Sequence, residues 1–333
     1  MQRVTIIGGG AWGTALATVC HGAGREVAVW AREQDVVDSI NLRHENPMFL
    51  PGVQLDPSIR ATGAIASAVE QAELLLVATP AEHLRAVMGE VAGQLHEGVP
   101  VVVCSKGIEQ GSCLLMTEVL AEIAPLAPVA VLSGPTFARE VGRGLPAAAV
   151  IACRDAELGT RIMTGLATKS FRLAGSADPV GVQVSAAVKN VVAIAAGIAW
   201  GRRLGENARA ALITQGMAEI VRLGMAKGAR LETFLGLAGL GDLTLTCNSA
   251  QSRNTSLGIA LGEGRALEDV LAERRSVAEG LFTAAAVVAL AQGVGVEMPV
   301  CEAVDGILHG GLAADAGIDR LLDRTIGLGN LPC

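Results

Sequence analysis

Residues 3–24, RVTIIGGGAWGTALATVCHGAG, decide the fold. The β-branched run "RVTIIG" ends in glycine, and the helical pattern "TALATVCHGAG" begins at Thr14. Between them Gly8-Gly9-Gly10-Ala11-Trp12-Gly13 fits G-x-G-x-x-G. In this pattern the first glycine permits a tight turn, the second lets the backbone approach a pyrophosphate, and the third lets helix pack closely on strand. The free N–H groups of the helix N-terminus then receive the phosphates. Glycine spacing alone is a weak signal, but this one sits between a strand and a helix and is followed by a second strand, "EVAVW" (26–30). A dinucleotide cradle is therefore expected, with Gly8, Gly10 and Gly13 at the cofactor.

At the end of that second strand an acid would select NAD by binding the ribose 2′-hydroxyl. The position falls on Ala31, followed by Arg32 and Glu33. An arginine pairs with a 2′-phosphate, so NADP(H) should be accepted, while Glu33 keeps NAD(H) in play. The alternation continues through "ELLLVATP" (73–80), "PVVVCSKG" (100–107) and "VAVLSGP" (129–135). Such continuous apolar runs are expected of parallel strands covered on both faces. The sheet should extend through "AAAVIACR" and "FRLAG" and end near residue 175, with ligands bound outside the C-terminal strand ends. After Asp178-Pro179 the chain turns into Ala- and Leu-rich helical pattern broken by glycine. The expectation is an α/β Rossmann-type dinucleotide-binding domain over 1–178 and an all-α substrate domain over 179–333. A cleft between them would be the substrate site.

Composition sets limits. The chain has 333 residues, a formal net charge of −7 and 51% hydrophobic residues, so nucleic acid or an anionic membrane is a poor main partner. Only eight residues are aromatic and none is Tyr. The apolar stretches fall short of the roughly 20 residues of a bilayer-spanning helix, and the N-terminus enters a strand at once. Neither a membrane span nor a signal peptide is expected, and the cytoplasm is the expected location. Seven cysteines (20, 104, 113, 153, 247, 301 and 333) lie scattered without a CxxC pair, as reduced, packed thiols would. The five histidines show no metal-ligand spacing, so no metal is expected.

Twenty-two arginines stand against four lysines: Lys106, Lys169, Lys189 and Lys227. Arginine replaces lysine on a solvated surface but not where chemistry needs an amine that can lose its proton. Lys169 and Lys227 lie in polar, turn-like segments. Lys189 sits in "AAVKNVVAIAAGIA" (186–199), with small apolar neighbours three and four residues away. It must snorkel to water, pair with a carboxylate, or serve a site that uses its amine.

Longer motifs carry a resemblance over essentially the whole chain. They are "GGGAWGTALA" (8–17), "NPMFLPGV" (46–53), "CSKGIE" (104–109) and "SGPTFAREV" (133–141), then "GVQVSAAVKNVVAIAAGI" (181–198), "ENARAALITQG" (206–216), "GLAGLGDLTLTC" (236–247), "QSRN" (251–254) and "VAEG" (277–280). In these the chain resembles the bacterial NAD(P)-dependent glycerol-3-phosphate dehydrogenases. The resemblance implies reversible oxidation of sn-glycerol 3-phosphate to dihydroxyacetone phosphate, physiologically run as the reduction that supplies phospholipid synthesis. It implies Lys189 as the proton acceptor, and substrate contacts from Lys106, Gly134, Thr136, Asp242, Ser252, Arg253 and Asn254. It adds Ala11, Trp12, Arg32, Lys106, Ala138, Arg253, Val277 and Glu279 to the cofactor contacts. Ala11 stands where relatives often have Ser, so only backbone contact remains there. A homodimer is the expected assembly.

The chemistry is consistent with these roles. Oxidising a secondary alcohol needs a base for the hydroxyl proton while hydride leaves for a nicotinamide. A lysine whose pKa is lowered by burial and a nearby cation suits that base, and Lys106 is a candidate cation. Arg253, Asn254 and Ser252 can supply donors to a phosphate. Glycines in "GLAGLGD" would bring Asp242 to substrate hydroxyls or let it orient a lysine. One rival is a dehydrogenase for another small hydroxy acid, against which "QSRN" favours a phosphorylated substrate. A second, an NADP-sensing protein without catalysis, would not need Lys106 or Lys189.

Overall fold

The structure, a computed structural model, describes residues 1–274 and 278–323. These divide into two compact units: Met1–Ser105 with Met116–Pro179, and Lys106–Leu115 with the described residues from Val180 onward. The segment 106–115 thus lies with the second unit although it falls inside the first stretch of sequence.

The first unit has ten strands: β1 (Arg3–Ile7), β2 (Glu26–Trp30), β3 (Glu45–Asn46), β4 (Leu50–Gln54), β5 (Arg60–Thr62), β6 (Leu74–Val77), β7 (Val101–Val103), β8 (Val129–Ser133), β9 (Ala147–Ala152) and β10 (Phe171–Ser176). Eight form one sheet in the order β10-β9-β8-β7-β6-β1-β2-β5, while β3 and β4 make a separate antiparallel hairpin. Every pairing in the large sheet is parallel except β8 with β9. The central strands are inaccessible on both faces, Leu74–Val77 and Val101–Val103 being 0% exposed. That is why they read as unbroken apolar runs. Register aligns Ile7 with Trp30 on one side and Val77 on the other, and Val77 with Val103 and Val103 with Val131. The C-terminal ends of five strands therefore lie along one edge. Strand order reverses at β1, whose neighbours are β2 and β6, and a crevice opens above such a switch point.

The second unit is helical and is organised around Pro179–Gly201, a helix of 23 residues. It is long and apolar enough to cross a bilayer by length and composition, contrary to the sequence expectation. The helix continues through Gln183, Ser185, Lys189 and Asn190, which break the apolar run but not the turns. Its apolar window is wholly buried by the unit's own helices, so it is a core helix. Against it lies Arg253–Gly262, at backbone contact. A Cβ on Gly197 would stand 2.2 Å from the Thr255 carbonyl oxygen, and one on Gly258 2.1 Å from that of Ile194. No larger residue fits this crossing, which brings Asn254 beside Asn190.

Candidate active site

In the first unit the glycine loop has the geometry that phosphate binding requires. Gly8 has φ +121°, and a Cβ on Gly13 would sit 1.9 Å from the Gly8 carbonyl oxygen. Gly10 precedes the Ala11–Gly22 helix, and a Cβ there would meet nothing within 4 Å. That helix has no side-chain cap and no acid in its first turn, so its N–H groups and dipole remain available to an anion. The Trp12 indole N–H is buried without a partner among the described residues. These features fit a dinucleotide pyrophosphate. The sequence reading missed one brace: the buried Asn46 amide donates to the Gly9 carbonyl and the Thr14 hydroxyl, each at 2.8 Å. Its signal was its place in "NPMFLPGV".

Ala31 is fully buried, and its Cβ packs where a Gly9 side chain would have to go. An acid has no room there. Arg32, 72% exposed, pairs with Glu33 at 3.0 Å. Gly134 has φ +153°, with Ala149 Cα only 2.8 Å from where a Cβ would be. Thr136 Oγ1 donates to the Gly134 carbonyl at 3.1 Å, and Ala138 begins a short helix, Ala138–Gly142.

The second unit brings Lys106, Lys189 and Asp242 together. Lys106 stands at the start of a loop closed by the Ile108–Leu115 bridge, whose two side chains are buried in the helical core. Lys189 points from the middle of Pro179–Gly201. Asp242 opens the Asp242–Cys247 helix directly after a π-helical turn, Leu237–Gly241. Lys189 Nζ donates to Asp242 Oδ1 at 2.8 Å, and Lys106 Nζ to Asp242 Oδ2 at 2.9 Å. One carboxylate thus bridges two ammonium groups, so Asp242 orients lysines. Of the three options for Lys189, pairing is realised and snorkelling is not, since the residue is 5% exposed.

Thr246 completes the arrangement. Its hydroxyl donates to the Asp242 carbonyl at 2.6 Å and accepts from Lys189 Nζ at 2.8 Å. Sequence reasoning overlooked it, although Asp242 and Thr246 share a helix face at i and i+4. Burial lowers the Lys189 pKa from 10.5 to about 8; Asp242 opposes the shift and Lys106 adds to it. Burial alone would raise the Asp242 pKa, but Lys106 and Lys189 outweigh it and hold the carboxyl below its usual value. The cluster therefore favours the ionised carboxylate, while burial brings the Lys189 pKa down to about 8.

Beside it runs an amide ladder. Asn254 Nδ2 donates to Asn190 Oδ1 at 3.0 Å, and Asn190 Nδ2 donates to Glu279 Oε2 at 3.2 Å. Asn254 Oδ1 accepts from Gly280 N at 2.9 Å. Asn190 is thereby held between Asn254 and Glu279, while Gly280 holds the other end of the Asn254 amide. Ser252 caps Arg253–Gly262 by accepting from Thr255 N at 3.2 Å, while Arg253 is exposed. Val277 lies outside the described residues. Lys169 is exposed and Lys227 half-buried. Arg202 is 17% exposed and pairs with Asp315 and Asp319. The Cys247 thiol is pushed up to about 12 by burial and is inert. Among the described residues no group of His, Cys, Asp or Glu could hold a metal ion.

Models of the NAD-dependent glycerol-3-phosphate dehydrogenase N-terminus and C-terminus match residues 3–159 and 178–319. The chain belongs to this family. A glycerol-3-phosphate dehydrogenase [NAD(P)+] of Parvibaculum lavamentivorans is 54% identical over 323 residues, covering 97% of each chain. One of Caulobacter vibrioides is 53% identical over 325 residues, covering 98% of each. The crystal structure of glycerol-3-phosphate dehydrogenase from Coxiella burnetii superposes with a TM-score of 0.94 at 36% identity, covering 97% of this chain and 99% of that one. The Rossmann-type sheet and helical second unit are thus the fold of this dehydrogenase family.

Proposed function

We propose that the protein interconverts sn-glycerol 3-phosphate and dihydroxyacetone phosphate with NADP(H) or NAD(H), with Lys189 carrying the proton. The observation that carries this reading is the buried Lys106–Asp242–Lys189 bridge. A bound nicotinamide supplies hydride chemistry at the alcohol carbon. This chain's residues supply the rest. As a neutral amine, Lys189 keeps two hydrogens for Asp242 and Thr246 and turns its lone pair to the substrate hydroxyl. It takes that proton as the alcohol is oxidised. In reduction the ammonium's third hydrogen goes to the developing alkoxide. Lys106, across the shared carboxylate, keeps the cluster cationic toward that oxygen.

The remaining assignments belong to the same reading. Gly8, Gly10, Ala11, Trp12, Gly13 and Arg32 would hold the dinucleotide in the 1–178 domain, with Ala138, Lys106, Arg253, Val277 and Glu279 contributing. Gly134, Thr136, Ser252, Arg253 and Asn254 would hold the substrate, Arg253 as the exposed cation for its phosphate. In this reading the enzyme works in the cytoplasm as a homodimer, in the reductive direction, feeding phospholipid synthesis. The test is oxidation of NADH and of NADPH, separately, by purified protein with dihydroxyacetone phosphate. Turnover with at least one is expected; none with either would overturn the assignment.

A further inference from the structure

Phe234 and Gly224, outside the quoted motifs, pack beside the turn that precedes Asp242. Asp242 follows the π-helical turn Leu237–Gly241, in which Gly241 N bonds to Gly236 O at 3.2 Å, five residues back. Such a turn holds one residue more than an α-helical turn. Asp242 and Thr246 lie on one face of the helix that continues from it, and that face meets Lys189.

Phe234 is 0% exposed, with its ring against Gly224 and its backbone against Gly239. A Cβ on Gly224, in the Glu206–Ala226 helix, would stand 2.2 Å from Phe234 Cζ and 2.8 Å from Cε1. A Cβ on Gly239, inside the π turn, would stand 2.2 Å from the Phe234 carbonyl oxygen and 2.5 Å from its Cα. The ring is thus seated on one helix while its backbone supports the turn that delivers Asp242. We propose that Phe234, clamped between Gly224 and Gly239, is a positioning residue that sets Asp242 between the two lysines. The inference rests on the reading of Lys189 as the proton carrier.

The chain's four lysines make the test direct. Carbon-13 labelling at lysine Cε gives four signals in the whole protein, and the Lys189 signal is assigned by its loss in Lys189→Arg. Gly224→Ala pushes against the far end of the ring and should withdraw Asp242. Asp242 opposes the lowering of the Lys189 pKa, so its withdrawal moves the Lys189 titration to lower pH, by about half a unit or more. The acidic shift should recur in the pH profile of kcat/KM. Phe234→Leu removes the ring's outer atoms and should shift the titration in the same direction. Gly224→Ala combined with Phe234→Leu refills the space and should return it to the wild-type position.

A folded Gly224→Ala protein with Lys189 unmoved overturns the proposal, as does a double variant that remains shifted. If Gly224→Ala does not fold, Phe234→Leu decides by the same readout, and an unmoved titration there overturns the proposal. A wild-type Lys189 with an ordinary pKa removes the underlying reading. A depressed pKa insensitive to these variants removes only the clamp.

Discussion

Asp242→Asn keeps the shape of the bridge and removes its charge. Lys189 is then left buried, facing the Lys106 ammonium at the other end of a neutral amide. In the native protein Asp242 raises the Lys189 pKa, while burial and Lys106 lower it to about 8. An opposite charge at this range shifts a pKa by about 1–3 units, so its loss should bring Lys189 to between about 5 and 7. At pH 7.5 the ammonium fraction then falls from roughly three quarters to at most about one quarter. Reduction of dihydroxyacetone phosphate, which needs the ammonium, loses at least about threefold from protonation alone. Misplacement of the amine adds up to about 100-fold. The pH above which kcat/KM for reduction declines should move acidward by about 1–3 units. The assay is NADPH oxidation across pH 5 to about 9.5, with circular dichroism to establish folding. A decline that stays at the wild-type pH, or moves upward, would refute the electrostatic reasoning.

Other outcomes follow from neighbouring contacts. Thr246→Val matches the shape but leaves the Asp242 carbonyl without its hydroxyl donor and Lys189 without one acceptor. It should cost about 1–3 kcal/mol in urea unfolding and lower kcat more than it raises KM. Arg32→Ser should raise the NADPH KM about 10- to 100-fold while leaving that of NADH within about threefold; equal effects would remove Arg32 from the 2′-phosphate. Glu219 is buried against Val300 N and Cys301 N, and burial raises its pKa from 4.5 to about 7 despite those bonds. Its folded pKa lies above its unfolded value, so its contribution is full below about 4.5 and is lost as pH rises through about 7. That component, on the order of 3 kcal/mol, should vanish from the pH dependence of stability in Glu219→Gln, as thermal melts from pH 5 to about 8 would show.

The nucleotide half was legible because local pattern and tertiary role coincide there. Strands buried on both faces must be continuous apolar runs, and the glycines at 8 and 13 are required by backbone contacts that any side chain would break. The antiparallel pairing of β8 with β9 was not legible, because orientation depends on the connection and not on the strand's own residues. The assignment of 106–115 to the helical unit was hidden for a similar reason. Ile108 and Leu115 look like any loop hydrophobics, yet they anchor Lys106 in the second core.

Lysine scarcity and an apolar helix face pointed to Lys189, but neither named its partner. Asp242 is 53 residues away along the chain, and the π turn that aims it has no simple periodicity. Asn254 had the composition of a phosphate donor. Its amide also bonds Asn190 and Gly280, contacts created by the glycine crossing of two helices and not visible in the sequence. Sequence reports which groups are available for chemistry; packing decides which of them are already occupied.

The central claim is that a buried lysine in this chain can exchange its proton near neutral pH. The most direct measurement is a carbon-13 titration of the four lysine Cε signals in the full-length protein from pH 6 to about 11, without substrate. The signal lost in Lys189→Arg should titrate at about 8, against an ordinary value of 10.5. A Lys189 signal that titrates at or above about 10 would contradict it.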